Sequence, residues 1–177
     1  MKLSYTLEEE DFIAQYLYAT SRSVTVQRKW ARARIIFAVT YFLVGIVLYN
    51  KDHNLYSALV FVALGVIWYL LYPGYVRKRY HKNVVDHVRK TFQSKTGQPC
   101  ELVIDKDGIY TKDHTGEGRI NLSEFENLVE TSSHFFITGP SGISVVIPIH
   151  TVADAAMLKS KTKDLRLTYV DEKDWKW

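Results

Sequence analysis

Cysteine is nearly absent from this 177-residue chain, and the single Cys100 excludes both an intramolecular disulfide framework and a multi-cysteine zinc site. Proline and glycine are also sparse, at four and nine, while aromatics reach 14%, so the chain has ample apolar material to bury and is not disordered. Formal charge is missing from residues 35–76, apart from Lys51 and Asp52. The mean hydropathy of −0.13 hides this concentration of apolar residues. About 135 residues remain outside the segment, too few for a large enzyme core.

Charge is divided along the sequence. Residues 1–95 hold 14 Lys/Arg against 6 Asp/Glu, and residues 96–177 hold 9 against 13. The basic excess therefore lies beside the apolar segments and not on a nucleic-acid-binding surface; no nucleic-acid partner is expected.

Residues 35–50, IIFAVTYFLVGIVLYN, carry no charge and as a helix would span roughly 24 Å. Ala33 and the snorkelling stems of Arg32 and Arg34 extend the stretch. Residues 55–76, LYSALVFVALGVIWYLLYPGYV, would span roughly 33 Å, enough for a hydrocarbon core of about 30 Å. Neither segment has the polar face that a helix of a soluble bundle keeps, so the pair reads as a transmembrane hairpin with spans of about 33–50 and 55–76. Arg28, Lys29, Arg32 and Arg34 precede it, Arg77, Lys78, Arg79 and Lys82 follow it, and the short loop has only Lys51. By the positive-inside rule both termini are expected in the cytoplasm, in a multi-pass protein of the cytoplasmic membrane. Trp30, Arg32, Arg34, Trp68 and Tyr72 are candidate interface anchors. Arg77, Lys78, Arg79 and Lys82 are candidate lipid-headgroup contacts, or a topology signal alone. With no intramembrane carboxylate, Lys or His, transport is disfavoured. Gly65 reads as a close-packing position, and Pro73-Gly74 as the end or kink of the second helix.

Four segments follow. Residues 1–29 hold a short strand and an amphipathic helix, with a capping-box pattern at Thr6-Leu7-Glu8-Glu9 and an apolar stripe of Phe12, Ile13, Tyr16 and Leu17. Residues 30–76 are the hairpin, and residues 77–96 a basic juxtamembrane helix. Residues 97–177 change to a two-residue period and read as antiparallel sheet: strands from Cys100 and Ile109, turns at Asp107-Gly108 and 116–118, a strand or short helix over 123–130, strands over 135–138 and 143–149, and a turn at 139–142. A helix is expected from about Thr151, with Asp154 at the capping-box position, and residues 165–170 form one more strand or a tail.

The stretches KLSYTLEEEDF, LLYPGYVRKRYHKNV and DKDGIY…INLSEFENLVETSSHFFI…SVVIPI, in that order, resemble the YcxB-like family of small bacterial membrane proteins. The resemblance spans nearly the whole chain. It implies an α+β architecture, with a two-helix inner-membrane hairpin carrying a small cytoplasmic antiparallel β domain and a C-terminal helix, the β domain being similar to pleckstrin-homology-like modules. Such modules have about seven strands before their helix, so residues 3–6 are expected to join the sheet. No catalytic residue is carried over.

Motifs of known chemistry are not met. Gly116-Glu117-Gly118 lacks a third glycine and a βαβ setting, Gly139-Pro140-Ser141-Gly142 lacks the nucleophile-elbow spacing, and Asp105-Lys106-Asp107-Gly108 misplaces the glycine of a calcium loop. No two of the six histidines fall four apart on an expected helix; His134 and His150 alone merit attention as pocket borders. The function expected is a membrane-anchored binding or regulatory module without catalysis, cofactor or metal, whose partners are the bilayer and other membrane proteins. The alternatives are an anionic-lipid headgroup sensor and a small oligomeric transporter or channel subunit.

Overall fold

The computed structural model describes residues 1–114, 116–140, 142 and 144–177. Ser141 of the expected 139–142 turn, and Ile143 at the start of the expected apolar strand, lie outside the described residues. The chain is α+β, with two long apolar helices and two largely antiparallel sheets. It divides into two compact units, one made of Met1–Ala19 with Val84–Trp177 and the other of Thr20–Asn83.

In the first unit, strands β1 (Lys2–Thr6), β2 (Pro99–Ile104), β3 (Gly108–Asp113) and β4 (Gly116–Asn121) form one antiparallel sheet in sequence order. β1 pairs with β2 in the register Leu3↔Leu102 and Tyr5↔Cys100, although residues 7–98 separate the two strands in sequence. The expectation that residues 3–6 join the sheet is met. Strands β5 (Asn127–Glu130), β6 (His134–Thr138), β7 (Ser144–Pro148) and β8 (Thr168–Asp171) form the second sheet in the order β7-β6-β5-β8. β8 runs parallel to β5 (Asn127↔Thr168), a pairing that requires the crossover supplied by α4 (Ala155–Asp164).

Leu102, Ile104, Ile109, Leu128, Phe135, Ile137, Ile147 and Leu158 of α4 are fully buried in one core. Each such side chain contributes about 1.5–3 kcal/mol relative to exposure. Helix α1 (Glu9–Arg22) explains why β5 to β7 read as continuous apolar runs. On the face away from that core, Val129, Phe136 and Val146 pack with Tyr18, so these three strands are buried on both sides. Of the expected stripe, Phe12 stacks on Phe92 at 4.7 Å and Tyr16 meets His87 edge-on at 5.4 Å.

Three local expectations are corrected. Glu8 and Asp11 form the helix start instead of Thr6 and Glu9: the Glu8 N–H donates to Asp11 Oδ2 at 2.7 Å, which satisfies one of the free amides of the first turn. Gly116–Gly118 opens β4 instead of forming a turn. Thr151 lies in a 3-10 turn, Ile149–Thr151, and Asp154 is the N-cap of α4, accepting from the amides of Ala156 and Met157. The alternatives over 123–130 resolve into a 3-10 turn, Leu122–Glu124, followed by β5. At Gly139 a Cβ would lie 1.7 Å from the Glu124 carbonyl oxygen, so only glycine fits.

The second unit contains α2 (Val24–Asp52) and the first part of α3 (Leu55–Phe92). Ser23 caps α2, His53 ends it in the left-handed conformation (φ 51°), and Asn54 Oδ1 accepts from Tyr56 N–H to start α3. The two helices meet through glycines. A Cβ on Gly45 would lie 3.2 Å from the Ala58 carbonyl, and one on Gly65 would lie 3.2 Å from Tyr41 Cβ. The close-packing expectation for Gly65 is thus met. Among the described residues, only 6% and 11% of the most apolar stretches of α2 and α3 are buried, unlike the core helices of a soluble domain.

Candidate functional site

Pro73 does not end α3, which continues to Phe92 as one helix through the segments expected as span and juxtamembrane helix. Proline has no N–H, so the Tyr69 carbonyl four residues earlier loses its helical donor. Arg34 replaces it. Its Nε donates to Tyr69 O at 2.8 Å, and its guanidinium carbon lies 3.6 Å from the Tyr69 ring centroid. The helix continues because an arginine of α2 satisfies the orphaned acceptor.

Around this contact is a cleft of about 160 Å³ lined by Gln27, Trp30, Arg34, Tyr72, Pro73 and Arg77, among others. The expected interface anchors Trp30, Arg34 and Tyr72 and the expected headgroup contact Arg77 therefore line one cleft. Trp30 also packs edge-on against Tyr80 at 5.6 Å, and Thr20 Oγ1 lies 2.6 Å from Tyr80 OH. Arg79 donates to Tyr75 OH at 3.0 Å. Trp68 packs against Phe37 at 5.5 Å and Tyr72 at 5.7 Å, with no acceptor for its indole N–H among the described residues. Arg32, Lys78 and Lys82 are exposed. The sequence has no Asp or Glu over residues 12–51 or 53–85, so this arginine-rich unit is almost devoid of carboxylates.

The first unit contains two polar clusters, each built on a buried carboxylate. Asp11 Oδ1 lies 2.8 Å from His134 Nε2, and His134 Nδ1 lies 2.9 Å from the exposed Ser133 hydroxyl. Burial pushes the Asp11 carboxyl up, but the His134 hydrogen bond, the Glu8 amide, and the charges of His134 and His150 bring it below the usual range. The ionised carboxylate only accepts, so Nε2 carries the proton, and in neutral His134 Nδ1 accepts from Ser133. The connectivity resembles a hydrolase triad with the ring reversed. What it does here is tie α1 to β6. Sequence reasoning marked His134 but missed Asp11, which lies 123 residues away in the chain.

The second cluster centres on Glu130. Lys159 Nζ lies 2.6 Å from Oε2, Tyr169 OH donates to the same oxygen, and Lys173 Nζ lies 3.4 Å from Oε1. Burial opposes ionisation, but the Lys159 and Tyr169 hydrogen bonds and the two ammonium charges hold the carboxyl below its usual range. This cluster joins β5, α4 and β8. His150, the other histidine marked in the sequence, lies in the 3-10 turn after β7. Among the described residues no group of three or more His, Cys, Asp or Glu could hold a metal ion.

The chain matches no family model, no curated protein and no solved structure.

Proposed function

We propose that this protein is a membrane-anchored, non-catalytic binding or regulatory module of the YcxB-like kind. In this reading α2 and the first part of α3 cross the cytoplasmic membrane as a hairpin, with both chain termini in the cytoplasm. The observation that carries it is the pairing of two uncovered apolar helices with basic flanks and almost no carboxylate. The seven strands before α4, four in one sheet and three in the other, support the likeness to pleckstrin-homology-like modules. β8 is an addition. The insertion of the hairpin between β1 and β2 makes the anchor part of the domain's own sequence rather than a terminal tag.

Anchoring raises the effective concentration of the domain toward headgroups and neighbouring membrane proteins, so weak contacts become occupied. The lipid-sensor alternative is favoured by the cleft lined by Trp30, Arg34, Tyr72 and Arg77, whose two cations could hold a headgroup phosphate. Alkaline carbonate extraction tests the anchor. The full chain should stay in the membrane pellet; release into the supernatant would overturn the reading.

A further inference from the structure

In the first unit, the turn between β2 and β3 and the end of α4 border a cleft of about 500 Å³ lined by Lys106, Leu122, Lys161, Asp164, Leu165 and Arg166. The geometry points to a binding site for a phosphomonoester, on a soluble metabolite or on a lipid headgroup. Three cations and one carboxylate line the cleft, a net charge of +2 that matches a phosphate of charge near −2. Among the described residues, none of the three cations is ion-paired, and Lys161 is half-buried. Leu122 and Leu165 supply apolar surface for the carbon skeleton of the ligand.

Arg166 adds an independent observation. Helix α4 ends in a double-bonded cap, with Arg166 N–H donating to Lys163 O at 2.9 Å and Leu167 N–H to Thr162 O at 3.0 Å. This cap needs a left-handed residue, usually glycine, at the position Arg166 occupies with φ 63°. An arginine is thus held at the cleft in a conformation that disfavours it. Cations near a helix C-terminus also complement its dipole, and Lys163 on the same turn does so without lining the cleft. Lys163 is therefore the control.

The test uses the full chain in nanodiscs. Glycerol 3-phosphate is titrated against phosphatidylcholine discs, and separately phosphatidate replaces part of the phosphatidylcholine. K161Q and R166G should each weaken binding about tenfold, D164N should tighten it, and K163Q should leave it unchanged. R166G places glycine at a left-handed position, so its melting temperature should hold or rise while its binding falls. Saturable binding of glycerol 3-phosphate with this pattern supports the site and shows that a soluble phosphate suffices. The same pattern with phosphatidate alone supports it with lipid as the source. Binding of neither probe, or an equal loss in K163Q, overturns it. The anchor is judged separately by carbonate extraction, so failure here leaves that reading intact.

Discussion

Replacing Asp11 by alanine removes two interactions that replacement by asparagine largely keeps. The alanine variant loses the carboxylate that caps Glu8 N–H, at about 1 kcal/mol, and leaves the His134 Nε2 proton without its partner in a buried site, at about 1–3 kcal/mol. The total is about 2–4 kcal/mol, or about 8–16 °C for a unit of this size. Asparagine keeps an oxygen for Glu8 N–H. Its amide can donate to Nε2 once the His134 proton moves to Nδ1 and points at Ser133, so its cost should be about 1 kcal/mol or less. His134→Phe removes the need for the second interaction, so Asp11→Ala in that background should cost only the cap. Thermal unfolding of the full chain in detergent, followed by tryptophan fluorescence, reads this out, since Trp175 packs against Tyr18 at 5.4 Å. The folded Asp11 carboxyl titrates below its ordinary value of 3.8, so its contribution is complete above that pH and is lost as pH falls through the lower folded value. Equal costs for alanine and asparagine, or an unchanged alanine cost beside His134→Phe, would refute the tie.

Three further outcomes are expected. Arg34→Met should cost about 1–3 kcal/mol by orphaning the Tyr69 carbonyl, and much less beside Pro73→Ala, which restores that carbonyl's helical donor; a double-mutant cycle in detergent melts measures the difference. Gly65→Leu should destabilise by about 1–3 kcal/mol because its Cβ already meets Tyr41 and Ala38, whereas Gly74→Ala, with nothing within 4 Å, should be neutral or slightly stabilising in the same melts. Glu130→Gln should cost about 1–3 kcal/mol near neutral pH. The deficit should shrink as acid takes the wild-type carboxyl through its lowered folded value, and stability against pH checks this.

The two long helices were legible because freedom from charge over 16 and 22 residues is a signal that needs no tertiary information. β1 was legible from its alternation and from the strand count. The continuity of α3 through Pro73 was not, because the donor that rescues Tyr69 lies 35 residues away in Arg34. Nor was the parallel seat of β8, which depends on which edge of β5 is open after α4 crosses. The Asp11–His134 pair spans 123 residues, and the cleft at Lys106, Lys161 and Arg166 draws on a turn and a helix end that no local pattern links.

Site-directed thiol labelling tests the hairpin most directly. Cys100 is half-buried, and burial together with the Asp113 charge pushes its thiol pKa up, so it is replaced by serine as a poor reporter. Single cysteines are then placed at Lys51, in the last turn of α2, and at Lys173, in the C-terminal segment. A membrane-impermeant maleimide should label Lys51→Cys in intact cells and Lys173→Cys only after the cells are opened. Labelling of Lys173→Cys from outside, or of Lys51→Cys only after opening, would contradict a hairpin with both termini in the cytoplasm.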